Sequence, residues 1–204
     1  MERERLLQSV RARLGRTQDG GAPAPPRFRP MAPPFADSED DCVRLFLERQ
    51  AELGVAVSAV AVRDEAQTAV QQLLGDRRQR ITCSPELCWP AIVPMWTESV
   101  PDSDFGLCEA DWAIAETGSI VLSMGGLRRR DVSLLPPAVG FFVARSRIVA
   151  RLGDVLRSLA ASPDSLPTCV TLVTGPSASA DIVGVRTLGV HGPGEVHVWL
   201  VENE

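Results

Sequence analysis

The chain has 204 residues, 45% of them apolar, with a formal net charge of -5 and a pI near 5.2. That length and apolar content suit one domain with a continuous core plus an arm, and the acidic balance excludes a nucleic-acid-binding surface spread over the whole protein, leaving only a local basic patch. All 21 cationic side chains are arginine, so a Schiff-base amine, a P-loop lysine and a pyridoxal-phosphate anchor are absent.

In chain order, Met1–Leu14 places Leu6, Leu7, Val10 and Leu14 on one helical face, which predicts an amphipathic helix. Gly15–Pro34 is rich in glycine, proline and arginine and reads as an irregular linker. Residues 1–34 are therefore expected to form a helix and linker, and 35–204 a single α/β domain. Docking of that helix on its own domain is the simpler fate; packing on a partner protein is the other. Ser38 suits a helix N-cap, followed by Glu39, Asp40 and Asp41 in the first turn, with Val43, Phe46, Leu47 and Ala51 as the buried face. Val55–Val62 reads as a buried strand, Asp64–Leu74 as a helix and Arg80–Ser84 as a strand. Strand, helix, strand predicts a parallel sheet with a right-handed crossover. Pro85–Ser103, with four prolines and with Trp89 and Trp96, carries at most a short strand near Ile92–Met95.

Asp111–Gly126 then sets a carboxylate between two apolar runs. Trp112, Ile114 and Ile120–Leu122 have strand composition, and Glu116-Thr117-Gly118-Ser119 has turn chemistry, so a hairpin is predicted. Spacing alone favours a solvent-exposed turn for Glu116 over a pocket wall. Arg128, Arg129 and Arg130 follow a glycine pair; they are the residue type that grips carboxylate or phosphate bidentately, although a solvated loop accounts for at least two of them. Ala138–Ala144 reads as a strand, and Ser146 as the cap of a helix whose face is Ile148, Leu152, Val155, Leu156 and Leu159.

The β-rich run Thr168–Thr174 stops at Gly175-Pro176-Ser177-Ala178-Ser179-Ala180-Asp181. This pattern suits a strand entering a helix N-terminus, where backbone N–H groups and serine hydroxyls receive an anion. Asp181 in that first turn would compete for the same dipole unless it bound a hydroxyl or arginine, pointed away, or served as the cap. His191-Gly192-Pro193-Gly194 makes a tight turn before the alternating strand Glu195–Val201. His191, on a loop at a sheet end, is a better ligand candidate than His197, which sits inside the strand.

Cys42, Cys83, Cys88, Cys108 and Cys169 include no CxxC pair, which argues against an iron–sulfur site or a disulfide framework and for small buried apolar residues in a reducing compartment. The N-terminus shows no signal-peptide pattern, and the longest apolar run, Leu53–Val62, is far below the roughly 20 residues a membrane helix needs. A cytoplasmic location is expected.

Four motifs in order resemble one family: IAETGSIVL at Ile114–Leu122, Arg130-x-x-Ser133-Leu134-Leu135-Pro136, TGPSxSADI at Thr174–Ile182 and GVHGP at Gly189–Pro193. Together they resemble the LUD-domain family in its lactate-utilisation protein C (LutC, YkgG-like) branch. The resemblance implies an open, mostly parallel α/β sheet with flanking helices, similar to the ribose-phosphate isomerase, glucosamine-phosphate deaminase and CoA-transferase superfamily (NagB/RpiA/CoA-transferase-like), with a small anionic or nucleotide-like ligand at the strand ends. It implies a system oxidising L-lactate to pyruvate, with no cofactor in this chain and iron–sulfur clusters only in partner subunits. The implied ligand residues are Thr117, Gly118, Ser119, Arg130, Thr174, Gly175, Pro176, Ser177, Ser179, Asp181, His191 and Gly192. Relatives commonly carry a basic residue at Ala178, a glutamate at Val183 and often a histidine at Val139, where this sequence does not.

Three functions are compatible with these residues. The first is a non-redox subunit of a lactate-oxidising assembly. The second is a CoA-transferase-like enzyme in which Glu116 attacks a thioester, with Gly118 and Ser119 N–H groups as oxyanion donors. The third is a ligand-binding regulatory module without chemistry.

Overall fold

A computed structural model of the chain describes residues 2–13, 38–74, 80–83, 87, 97, 99–124, 129–180 and 186–203. The chain divides into two units, Met1–Pro33 and Pro34–Glu204. In the first unit the amphipathic segment is a helix, α1 (Glu2–Arg13), with Val10 exposed. Leu14 and the Gly15–Pro34 linker lie outside the described residues.

In the second unit, α2 (Glu39–Glu52) starts at the predicted cap, where Ser38 Oγ accepts the Asp41 N–H at 3.1 Å. Its buried face is Cys42, Val43, Phe46 and Gln50, so Leu47 and Ala51 fall on the outer flank rather than inside as expected. Next come β1 (Ala56–Val62), α3 (Arg63–Leu74), β2 (Ile81–Cys83), β3 (Phe105–Glu109), and the hairpin of β4 (Trp112–Ile114) and β5 (Ser119–Met124). The chain continues through β6 (Ala138–Ala144), β7 (Ile148–Val149), α4 (Leu152–Ala160), β8 (Cys169–Val173), β9 (Ala178–Ala180), β10 (Arg186–Leu188) and β11 (Glu195–Asn203).

The main sheet has the order β1-β11-β6-β3-β2, and every neighbouring pair is parallel. A second sheet, β7-β4-β5-β8, is antiparallel except where β4 meets β7, and β9 and β10 form a separate antiparallel ribbon. The class is therefore α/β with a mostly parallel central sheet and flanking helices.

Period-two alternation explains the layering. Along β11, Val196, Val198 and Leu200 face one core and Trp199 and Val201 the other; along β6, Val139, Phe141 and Val143 oppose Phe142 in the same way. The first core joins the parallel sheet to α2 (Cys42, Val43, Phe46) and to the inner side of the second sheet (Ala113, Ile120, Leu122, Ile148). On the opposite side, the second core joins the parallel sheet to α3 through Val70 and Leu74. A third, smaller core places Val155 of α4 on the outer side of the second sheet, against Ile114 and Val121.

Four expectations are corrected. Val55–Val62 is not a buried strand: β1 is an edge strand, and within it only Val60 is buried. β1 and β2 are parallel but stand at opposite edges, because β11, β6 and β3 come between them. Ser146 caps no helix. Residues Arg145–Arg147 make a 3₁₀ turn and Ile148 begins β7, while α4 starts at Leu152, with the Arg151 N–H donating to Asp154 Oδ2 at 2.9 Å. Finally, β8 does not enter a helix: Ala178–Ala180 is a strand paired with Arg186–Leu188, so among the described residues no helix starts at Gly175–Ser177. The strand expected near Ile92–Met95 lies outside the described residues.

Gly140 lies under the Trp199 indole, where an added Cβ would sit 2.3 Å from Cζ3. Gly140→Ala is expected to lower unfolding free energy by about 1–3 kcal/mol, the usual range for overpacking, as read by urea denaturation. Gly106→Ala should cost at least as much, because its Cβ would meet the Val132 carbonyl oxygen at 2.2 Å and backbone cannot swing aside.

Candidate functional site

The hairpin turn Ala115–Gly118 is held from three sides. Gly118 has φ 66°, and an added Cβ would lie 2.8 Å from Arg49 Cβ, so only glycine admits both the turn and the close approach of α2. The buried Gln50 Nε2 donates to the Gly118 carbonyl at 2.9 Å. Beneath the turn, the Ala115 and Glu116 N–H groups donate to Val149 and Ala150 carbonyls at 2.8 and 3.1 Å. Glu116 is half-buried, and its Oε1 accepts the Leu152 N–H at 3.0 Å. The carboxylate thus supplies an acceptor to the first turn of α4, where N–H groups lack intrahelical partners and the dipole favours negative charge. This turn is not a free solvent loop, as the spacing suggested; packing of α2 and α4 against it is what spacing could not show.

From that turn a line of hydroxyls crosses to the second bend. Thr117 Oγ1 and Ser119 Oγ are 2.7 Å apart, and Ser119 Oγ and Thr174 Oγ1 are again 2.7 Å apart, with Ser119 only 3% exposed. The adjacency follows from register: Ile120 of β5 pairs with Val173 of β8, so the residues flanking that pair, Ser119 and Thr174, meet. The Ala115–Gly118 turn and the Thr174–Ser177 bend are therefore neighbours.

Thr174, Gly175, Pro176, Ser177, His191 and Gly192 line one cavity of about 420 Å³, together with Ser133, Thr171, Val139 and Val196. Val139 and Val196 are the second residues of β6 and β11 and pair with each other, so the cavity sits at the amino ends of the parallel strands. Its walls are braced by backbone bonds: the Ser177 N–H donates to Pro193 O at 2.8 Å, Gly189 N–H to Ser177 O at 2.9 Å, and Gly194 N–H to Pro137 O at 2.9 Å. The Ser177 amide, expected as an anion donor, is consumed by this bracing, and the Ser133 hydroxyl donates to the Arg130 carbonyl at 3.0 Å, while Thr171, Thr174 and His191 also line the cavity.

Other anticipated residues lie apart from the cavity lining. Glu116 does not line it; its carboxylate is turned to the Leu152 N–H, and its neighbour Thr117 is the one that starts the Thr117–Ser119–Thr174 line. Arg130 is exposed and Nη1 contacts Cys169 Sγ at 3.8 Å. Ser179 sits in β9 opposite Thr187. Asp181 and Arg128 lie outside the described residues. Arg129 is taken by Asp131, with Nε–Oδ1 3.1 Å and Nη2–Oδ2 2.5 Å, and this hydrogen bonding raises the guanidinium pKa. Ser133 and Thr171 line the cavity but were not anticipated; the RxxSLLP motif holds the first, and alternation along the Thr168–Thr174 run sets the second on the opposite face from Thr174, so no sequence signal marked it. Cys42, Cys83 and Cys108 are buried as expected and Cys169 is half-buried. Burial, then Asp154, Asp41 and Glu39, raises the Cys42 pKa and keeps it a thiol. Among the described residues no group of three His, Cys, Asp or Glu side chains is placed to hold a metal ion, and no helix is long and apolar enough to cross a membrane.

A parallel α/β sheet carrying a hydroxyl-lined cavity beside an ETG hairpin turn defines the class of protein. The chain belongs to the LUD domain family, whose model matches residues 95–201. It is similar to Lactate utilization protein C of Halalkalibacterium halodurans, at 41% identity over 99 residues, 47% of this chain and 43% of that protein. It is also similar to the protein YkgG of Escherichia coli K12, at 29% identity over 139 residues, 67% of this chain and 60% of that protein. The chain spans about half the length of the curated relatives it matches. A crystal structure of a DUF162 family protein from Deinococcus radiodurans aligns with a TM-score of 0.63 at 25% identity, covering 80% of this chain and 98% of that one.

If Glu116 serves α4, Glu116→Ala should lower stability by about 1 kcal/mol, the usual scale of a lost helix cap. Hydrogen exchange should show the Leu152 amide losing protection first. Exchange at Leu152 matching the parent protein would remove this role.

Proposed function

We propose that this chain is a non-redox component of an L-lactate utilisation system and that its 420 Å³ cavity receives the small carboxylate of that system. The relatives named for lactate utilisation support the first part. The observation that carries the second is the hydroxyl line ending at Thr174. If Thr117 donates to Ser119 and Ser119 to Thr174, the Thr174 proton is left for an acceptor in the cavity, and a carboxylate oxygen is such an acceptor. His191, which lines the same cavity, would add a second donor.

This reading assigns binding to the chain and leaves electron transfer to iron–sulfur partner subunits in the cytoplasm, with residues 1–34 as the arm that meets those partners. Glu116 is assigned the role of fixing the turn and α4. Its carboxylate is already committed to the Leu152 amide, so a thioester-attacking role draws no support from the geometry.

Two measurements test the proposal. Calorimetric titration with L-lactate and pyruvate is expected to give saturable binding that weakens about tenfold or more in Thr174→Val, with the melting temperature unchanged; a tenfold loss corresponds to about 1.4 kcal/mol, one charge-assisted hydrogen bond. Deleting the gene is expected to stop growth on L-lactate, and normal growth of the deletion strain would overturn the assignment.

A further inference from the structure

A second recess, of about 590 Å³, lies between β1 and α3 and shares no lining residue with the cavity of Thr174. It exists because β1 is sparsely covered: Ala56, Ser58 and Val60 share the face toward α3, yet only Val60 is buried. Ser58, Thr68 and Gln72 line the recess, are accessible to solvent, and make no side-chain hydrogen bond to another described residue. Hydroxyl and amide groups therefore meet over a floor of small and aromatic side chains.

The floor has a definite geometry. Phe142 stacks on Trp199 with centroids 5.0 Å apart and planes at 20°, and Trp199 on His197 at 6.3 Å and 23°. His197 stands at the recess end of this tier, tilted also against Phe105 at 6.0 Å and 41°, with 13% of its side chain exposed and Nε2 held 2.7 Å from Glu195 Oε1. A planar ring laid there continues the stack.

Charge decides which ring-bearing molecules fit. Among the described lining residues the one carboxylate is Glu65, whose Oε2 accepts the Ala61 N–H at 2.9 Å, and Glu195 stands behind His197. No arginine is among the described lining residues. An anion would meet the Glu65 carboxylate, with Glu195 beyond His197 and no cation among the described lining residues to offset them, whereas an uncharged molecule would meet donors and acceptors of both kinds.

We infer that this recess binds an uncharged nucleoside-like molecule, with its heteroaromatic ring on the tier ended by His197 and its hydroxyls toward Ser58, Thr68 and Gln72, and that it disfavours the phosphorylated form. The site is independent of the carboxylate cavity, so each can stand or fall alone.

The test is calorimetric titration of the full chain with adenosine and, separately, with AMP. Adenosine is expected to bind saturably and AMP about tenfold or more weakly, the scale of one unfavourable charge contact. Glu65→Gln should narrow that gap by strengthening AMP. Thr68→Trp, on an exposed helix position, should fill the recess and weaken adenosine about tenfold or more, and Gln72→Trp, one turn further along α3, should do the same. Circular dichroism matching the parent protein checks that each variant folds. The inference is overturned by no saturable adenosine binding up to about 10 mM, well above a typical millimolar fragment affinity, by AMP binding as tightly as adenosine, or by both folded tryptophan variants binding adenosine like the parent.

Discussion

The hydrogen bond from Gln50 to the Gly118 carbonyl is the constraint on which the arrangement of the site depends. Both partners are buried, so breaking it would strand an amide and a carbonyl away from water, at a cost of about 1–3 kcal/mol each. It fixes the C-terminal half of α2 on the hairpin turn, and the missing Cβ of Gly118 lets the helix come that close. With the turn held, Ser119 lies in line with Thr174 on one side and Glu116 with α4 on the other. The far end of α2 is tied differently: Arg145 reaches Glu39, Asp40 and Glu202 from the end of β6, and its hydrogen bond to Glu202 raises the guanidinium pKa. The pairs to Glu39 and Asp40, whose carboxylates are exposed, are screened by salt and contribute orientation more than stability, while the pair to Glu202 is part-buried. One end of the helix is anchored by desolvation and the other by charge.

How much of this could be read from residues follows the length and regularity of each signal. Ala138–Ala144 is a strand with the predicted bounds, because seven apolar residues in a row specify a strand covered on both faces. The Ser38 cap and the ETG hairpin also carry local chemistry that tertiary packing did not override. Strand β7 could not be seen: two residues have no period, and they are extended only because β4 lies beside them. The Ala178–Ala180 stretch looks like a helix start, small residues after Gly-Pro-Ser, but pairing with Arg186–Leu188 wins. β1 misled for a similar reason: small and branched residues fit a buried strand, and only topology reveals an edge.

The candidate site was half legible. The motifs supplied Thr174, Gly175, Ser177 and His191, and these converge. What they could not supply was the status of each donor. The Ser177 amide is occupied, and Glu116 is turned toward α4. Two of the positions at which this sequence departs from the pattern it resembles, Val139 and Ala178, both line the same cavity. Valine and alanine there leave the cavity without an imidazole from β6 or a cation from β9. Under the proposed reading, hydroxyls and His191 would then carry recognition, and a hydroxy acid would suit them better than a bare anion, since hydroxyls accept as well as donate.

Strand β11 follows every other strand along the chain yet sits between β1 and β6. During synthesis, then, the two halves of the parallel sheet have no centre to close on until residues 195–203 emerge from the ribosome. Until that moment β6 offers an unpaired apolar edge to its surroundings, the condition under which nascent chains aggregate or engage chaperones. Pairing across such long sequence separations also slows folding itself, so the interval before β11 arrives is the one in which this topology leaves the sheet open.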